Sequence, residues 1–246
     1  MTLRSDRDLL SAEEVAAYLD VQPVTIYRWC REGRLPCLKL GKAWRIRRVA
    51  LEEFLQQREQ GNTLVGQLRA FLTIPDQIIA IAETRDDMHR IDAAFFQVGE
   101  VRDGLLVKHY SGESLGPLRE ALTRHGLDVH RLEREGRLRF VAEDAHHPSR
   151  AEALRPLIEA EASAGRTVWT AFDWAEGLAL DAALAQQEEL AKLAGQVPTV
   201  ILTQVLAQFT DDWPPVTLRR LRDLHRSLIE LSPSGLVLSR RTRPPS

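Results

Sequence analysis

The stretch Pro23-Val-Thr-Ile-Tyr-Arg-Trp-Cys-Arg-Glu-Gly33 decides how the first quarter of this chain folds. A proline at the first position of a helix costs nothing, because its missing N–H would have no partner there. A glycine just past the end supplies the left-handed stop. Between them Ile26, Trp29 and Cys30 fall on one face, and Val24, Thr25, Arg28 and Arg31 on the other. The spacing predicts a short helix with an apolar and a cationic side.

Working back, Ser11-Ala-Glu-Glu14 is a capping box, with a serine to cap the helix and a glutamate three residues on to return the bond. Ala12, Val15, Ala16 and Leu19 form its apolar stripe, and Asp20-Val-Gln22 is a tight connection to the second helix. Working forward, Leu38 and Leu40 alternate with Lys39, Gly41-Lys42 turns, and Trp44 and Ile46 alternate with Arg45 and Arg47. That pattern predicts a hairpin with one apolar and one cationic side. Val49 to Leu55 returns as a helix.

Charge is concentrated here. Residues 23–48 hold eight basic side chains (Arg28, Arg31, Arg34, Lys39, Lys42, Arg45, Arg47, Arg48) and one acid, Glu32. The whole chain of 246 residues has 33 basic and 35 acidic groups, so the other 220 residues carry 25 and 34. A cationic patch on an acidic protein marks a nucleic-acid module joined to something else. A helix of this size fits the major groove, and a cationic hairpin beside it can hold the phosphate backbone. A solvated face explains one such arginine; eight basic groups against one acid point to DNA.

These residues resemble the excisionase-type, MerR-like winged helix-turn-helix: Thr25-x-Tyr27-Arg28, Glu32-Gly-Arg-Leu-Pro36 and Gly41-Lys-x-Trp-Arg-Ile46 occur in order. The resemblance covers about 45 residues, a stretch read from the order of these pieces. It implies that Thr25, Tyr27, Arg28 and Arg31 lie at or near DNA, with Lys42, Arg45 and Arg47 on the wing; the charge count adds Arg34 and Lys39 as candidate DNA contacts. The departure is Gln22-Pro23, where the family more often has a serine or threonine cap. Small domains of this kind gain affinity as dimers on paired half-sites, so double-stranded DNA and a second copy of the chain are the expected partners.

Composition, at 44% hydrophobic and 28% charged, is that of an ordinary globular chain. No apolar run approaches the roughly 18 residues that span a bilayer, and the polar N-terminus has no apolar signal core, so a cytoplasmic protein without membrane contact is expected. The two cysteines, Cys30 and Cys37, have no metal-like spacing with histidine and are too few for a disulfide framework. Reduced thiols are the expectation.

The organisation expected is a winged head over residues 1–58, a linker or connecting helix over 59–77, an α/β body over 78–238 and a basic tail over 239–246. In the body, strands are expected at 78–82, 105–110, 129–132, 138–141, 167–172 and 200–205, and helices at 86–98, 114–125, 150–164, 182–194 and 217–231. The alternation predicts a three-layer domain with a mostly parallel sheet. The tail is expected to be disordered.

Catalytic signatures are missing. No Walker A loop occurs, and Ser111-Gly-Glu-Ser-Leu-Gly116 lacks the lysine, reading as a glycine turn before a helix. No G-x-S-x-G elbow occurs. His146-His147, an adjacent pair, is poorly spaced for one metal, and Asp86-Asp87 and Asp211-Asp212 read as helix-start and loop acids. Neither enzyme activity, cofactor nor metal is expected. In such sheets ligands sit beyond the carboxyl ends of the strands, which puts Glu83, His109, Tyr110, Phe172, Asp173, Trp174 and Gln204 together as a candidate pocket for a small, partly apolar molecule. The alternative is that Phe172 and Trp174 are core and Glu83 surface.

The body resembles the MEDS domain, a sensory domain of the dichloromethane-responsive repressor of methylotrophs and of methanogen signalling proteins. The carriers are the strand-helix-strand opening, Gly126-Leu-Asp-Val129 with Gly136-Arg-Leu138, Gln187-Glu-Glu-Leu190 before Val200-Ile-Leu-Thr-Gln204, and Leu221-Arg-Asp-Leu-His225. This implies a RecA-like fold that binds a small organic ligand without hydrolysing nucleotide. Ala82-Glu83 departs from the His-Cys or Tyr usual at the end of the first strand. The expected function is a transcription regulator whose body senses a ligand or mediates assembly, against an excisionase-like or architectural protein whose body only oligomerises.

Overall fold

The computed structural model describes residues 8–111, 114–143, 149–174 and 179–241, with side chains of all but 56–62. The chain divides into two compact units, Met1–Gly66 and Gln67–Ser246.

The first described element of this unit is an unexpected short strand, β1 (Leu9–Ser11). Helix α1 (Ala12–Tyr18) follows, with both bonds of the capping box made: Ser11 Oγ accepts from Glu14 N at 3.1 Å and Glu14 Oε2 accepts from Ser11 N at 2.7 Å. Helix α2 (Pro23–Arg31) starts on Pro23, and Gln22 makes no side-chain cap. Gly33, at φ +69°, turns the chain in the left-handed region that favours glycine. Strands β2 (Cys37–Leu40) and β3 (Ala43–Arg47) form the hairpin, with β1 on the other edge of β3, and α3 (Arg48–Asn62) closes the unit. Leu10, Val15, Ile26, Leu35, Ile46 and Leu51 are fully buried together. Each such side chain contributes roughly 1.5–3 kcal/mol, enough to hold a small head.

Two expectations fail in this unit. Cys30 and Cys37 are not reduced thiols but a disulfide, with Cα atoms 5.4 Å apart. Sequence spacing could not place the pair; the fold brings the end of α2 against the start of β2. The hairpin also lacks an apolar and a cationic side. Its register pairs Lys39 with Trp44 and Leu38 with Arg45, so Leu38 and Leu40 lie opposite the face that carries Trp44 and Ile46. Both leucines are exposed. The register is fixed by the Gly41-Lys42 turn, which the alternation of each strand alone does not specify.

In the second unit α4 (Leu64–Phe71) leads into β4 (Asp76–Ala82), α5 (Arg85–Val101), β5 (Leu105–Tyr110), α6 (Leu115–Arg124), α7 (Val129–Arg134), β6 (Leu138–Ala142), α8 (Arg150–Ser163), β7 (Val168–Asp173), α9 (Leu180–Ala194), β8 (Thr199–Leu206), α10 (Ala207–Thr210), α11 (Pro215–Leu224), β9 (Ser227–Ser232) and β10 (Gly235–Arg240). The sheet runs β10-β9-β4-β8-β7-β5-β6, parallel except for β10. The chain is thus a mixed α/β protein, with a helix-turn-helix head and a large, mostly parallel seven-stranded sheet. Right-handed crossovers put α5 to α7 on one face and α8, α9 and α11 on the other. On the first, Trp169 packs on Phe95 at 5.2 Å; on the second, Val107, Phe172 and Ile201 pack with Leu154, Ile158 and Leu190.

The expected strand over 129–132 is helix α7. Asp128 caps it by accepting from Arg131 N at 3.2 Å, and a four-residue apolar run cannot by itself separate strand from buried helix. The expected final helix over 217–231 stops at Leu224. Ser227–Ser232 alternates buried and half-buried positions because it is a strand, paired between β4 and β10. Ser239 and Arg240, expected in a disordered tail, belong to β10. Residues 242–246 lie outside the described residues. So does His146-His147.

Candidate nucleic-acid interface and the polar end of the sheet

In the head, α1 and α2 form the helix-turn-helix, and Tyr27 links them by donating its hydroxyl to Glu13 of α1. This bond holds the Glu13 carboxyl below the ordinary range and pushes the Tyr27 phenol up. Tyr27 is half-buried and packs at the core edge, so its visible role is to orient α2. Thr25 is half-buried; Val24, Arg28 and Arg31 are exposed along the outer side of α2. Arg31 Nε lies 3.4 Å from Tyr27 O. Arg34 is exposed, 3.5 Å from Glu32, with its guanidinium over Trp29. On the hairpin, Lys39, Lys42 and Arg47 are exposed, and Lys39 Nζ stands 5.8 Å from the Trp44 ring centre. Arg45 is half-buried and donates from Nη1 to Trp44 O at 3.0 Å. The basic groups therefore come from α2, the turn after it and both hairpin strands. The N-terminus of α2 presents N–H groups without a side-chain cap, an arrangement suited to a phosphate oxygen.

The carboxyl ends of β5 and β7 lie at a topological switch point, because the chain leaves β5 toward α6 and β7 toward α9 on opposite faces. His109 and Phe172 meet there and Asp173 ends the neighbouring strand, all buried, whereas Trp174 packs apart from them, on Trp213 at 4.9 Å and with Ile79, Leu184 and Val205; Phe172 and Trp174 are core side chains. Tyr110 is half-buried at the end of β5, and its carbonyl accepts from Glu143 N. Glu83 is exposed at the end of β4, and its N–H bonds Leu231 O. The group is less apolar than the sequence suggested. Lys108, hidden within an apolar strand, is fully buried and places Nζ 2.6 Å from Asp173 Oδ1 and 2.8 Å from Asp92 Oδ2. Arg85, first residue of α5, reaches Asp173 Oδ2 at 3.2 Å. Arg150, first residue of α8, donates from Nη2 to Asp173 O at 2.9 Å and to Glu143 Oε2 at 2.6 Å. Asp173 is thus gripped by helices from both faces.

Burial pushes the Asp92 carboxyl up to about 6, against the pull of Lys108. Burial alone would lower the Lys108 ammonium; the two carboxylates outweigh it and hold it above the usual lysine value. His109 stacks on Phe172 at 4.2 Å, with the Arg150 guanidinium 4.7 Å from the same ring. Burial, then the positive Arg150 and Lys108, lower His109 to about 3, so it is neutral. Its Nε2, Arg150 Nη1 and both amide atoms of Gln204 are buried without a hydrogen-bond partner. Sequence reasoning missed Lys108, Asp92, Arg85 and Arg150. The one available signal was a lysine inside Leu105-Leu-Val-Lys-His-Tyr110, since a charge in a buried strand requires a buried partner. Asp86 sits in the first turn of α5, 3.0 Å from His125 and 3.2 Å from Arg124, and Asp211 ends α10. Among the described residues no group of three or more His, Cys, Asp or Glu could hold a metal ion. Among them, too, no helix is long and apolar enough to cross a membrane.

Comparison with known proteins bears on the head. Residues 9–59 match the family described as "Helix-turn-helix domain". Residues of this chain are 35% identical over 48 positions to a protein named "Putative DNA-binding protein" of Mycobacterium tuberculosis strain CDC 1551 / Oshkosh, and equally to one of strain ATCC 25618 / H37Rv. Each match covers 20% of this chain and 62% of the relative. The chain thus spans under two thirds of these relatives, and over residues 9–59 it carries a helix-turn-helix domain.

Proposed function

We propose that this protein is a sequence-specific, DNA-binding regulator of transcription. The observation that carries the reading is the cluster of exposed basic side chains on the head: Arg28 and Arg31 of α2, Arg34 after it, and Lys39, Lys42 and Arg47 of the hairpin. Support comes from the match to the helix-turn-helix domain and from relatives named for DNA binding. In the proposed complex the first turn of α2, with Val24, Thr25 and Arg28, meets base edges, as recognition helices do. Arg31, Arg34, Lys39, Lys42, Arg45 and Arg47 meet phosphates. Tyr27 positions α2 through Glu13. The head is of the MerR-like winged kind, and a homodimer would present two copies to half-sites about 34 Å apart.

The α/β unit, MEDS-like in this proposal, is not an enzyme but the part that modulates the head, through a small organic ligand at the polar end of the sheet or through assembly. A ligand that binds one dimer geometry better than the other shifts the population of the two. Favouring the rival, architectural reading is one feature: the charges of Lys108, Arg85 and Arg150 are already met by Asp92, Asp173 and Glu143, as a purely structural cluster would have them.

The full chain is tested by selecting DNA from a randomised duplex pool and measuring binding by fluorescence anisotropy. A defined motif with two half-sites is expected, and R28A/R45A should lose it while keeping the wild-type melting profile. Failure to enrich any sequence overturns the reading. A small-molecule thermal-shift screen, followed by anisotropy with each hit, separates sensing from assembly.

A further inference from the structure

We infer that Cys30 and Cys37 form a reversible thiol–disulfide site that sets the DNA affinity of the head, an inference that rests on the DNA-binding reading above. The argument is positional. Cys30 lies in the last turn of α2, the helix proposed to enter the groove, and Cys37 is the first residue of the hairpin proposed to hold the backbone. Their bond joins the two DNA-facing elements directly. The enclosed segment, Arg31-Glu-Gly-Arg-Leu-Pro36, carries the exposed Arg31 and Arg34. Bonded, the helix and hairpin are held at one spacing before DNA arrives, which removes an ordering cost from binding. Reduced, they are joined by the shared core of Ile26, Leu35 and Ile46 and by the bonds from Arg34 N and Leu35 N to Trp29 O, without a covalent link between helix and hairpin.

The site is also open to exchange. Leu35 is buried, but Arg31, Glu32, Gly33, Arg34 and Pro36 are exposed, and Cys37 is half-buried where Cys30 is buried. A reductant's thiolate therefore attacks Cys37 Sγ, and Cys30 leaves as thiolate and takes a proton. A second thiol of the reductant then releases Cys37 and forms the reductant's own disulfide. Two electrons pass from a dithiol, or from two monothiols, to the protein. The reverse step takes a low-molecular-weight disulfide as oxidant. Where proteins meet DNA in a reducing compartment, disulfides are rare and, when present, are usually transient or sensing.

The test uses the full chain and a duplex from the selection described above. Alkylation followed by intact mass should show no modifiable thiol before dithiothreitol and two after it, with oxidised glutathione restoring the bond. Reduced protein should bind the duplex at least fivefold more weakly than oxidised, and reoxidation should recover the difference. C30S/C37S should bind at the reduced level and ignore both reagents. Affinities within twofold in both states, a bond that does not re-form, or loss of the head's unfolding transition on reduction overturns the inference. In the last case the bond is a permanent clamp. Sequence-independent absence of binding in both states would instead overturn the DNA-binding reading, and this inference with it.

Discussion

Lys108 on β5 and Asp173 at the end of β7 meet at 2.6 Å with the ammonium fully buried. Around them Asp92, Arg85 and Arg150 complete a charge network that fixes two helix starts to the middle of the sheet. Replacing Lys108 with methionine keeps the length and removes the charge, leaving Asp92 and Asp173 facing each other. Breaking such a buried pair costs about 3–5 kcal/mol. Urea unfolding of the full chain followed by tryptophan fluorescence should show that loss, and adding Asp92→Leu should recover part of it. A loss below 1 kcal/mol would mean that the network does not hold the sheet.

Buried histidines give the stability a pH profile. His225 is lowered to about 4 by burial, opposed by its bond to Leu221 O, and His109 to about 3. Both are neutral when folded and protonate near 6.5 when unfolded, so each contributes stability that is present above 6.5 and lost as pH falls. Asp92 works the other way. Raised to about 6, its contribution is fully present below about 4 and is lost as pH rises through 6. Asp76, raised by burial, acts in the same direction as Asp92, so the histidine contribution is read from a variant and not from the net profile. Each proton of difference is worth about 1.4 kcal/mol per pH unit. His225→Asn should remove one proton from the slope of urea-measured stability between about pH 4 and 6.5; an unchanged slope would refute the assignment.

Glycines on either side of Trp169 are predicted to be irreplaceable. A Cβ at Gly104 would stand 2.3 Å from Trp169 Cδ1, and one at Gly99 would stand 2.7 Å from Trp169 Cγ and Leu106 Cδ2. The indole is fully buried and cannot swing away. Gly104→Ala should cost about 1–3 kcal/mol or more by overpacking. Gly116→Ala, in open space within α6, should instead stabilise by up to about 1 kcal/mol. Differential scanning calorimetry of the two variants should move Tm in opposite directions.

Arg240 should prove structural. It lies 3.1 Å from Asp76, a buried carboxylate pushed up by its burial, and donates to Phe71 O as well. Arg240→Ala should cost about 1–3 kcal/mol by leaving Asp76 without its cation. A chain ending at Leu238 should lose at least as much stability, whereas one ending at Arg241 should melt as the full chain does.

Periodicity, caps and turn residues made most of this protein legible before any coordinates. The Ser11-to-Glu14 capping box, Pro23 opening and Gly33 closing α2, and the strand–helix alternation from Ile78 to Val205 are local codes, read within a dozen residues. Those signals delivered the helix-turn-helix and the parallel sheet. They failed where a local pattern had two solutions. Val129–Leu132 is as good a strand as a buried turn of helix, and Leu228–Leu231 became a strand because β4 and β10 stood beside it. The concentration of positive charge in the head was legible because charge is counted in sequence. The wing's true faces were not, because Leu38 and Leu40 are placed by the register with Arg45 and Ala43. Long-range relations were invisible for the same reason. Cys30 meets Cys37 only after a helix and a hairpin have packed, and Lys108 finds Asp173 across 65 residues. Sequence by itself determined which segments form and where the positive charge lies. Tertiary structure decided which side chains meet, because a partner for a buried charge or thiol is set by three-dimensional closure and not by spacing along the chain.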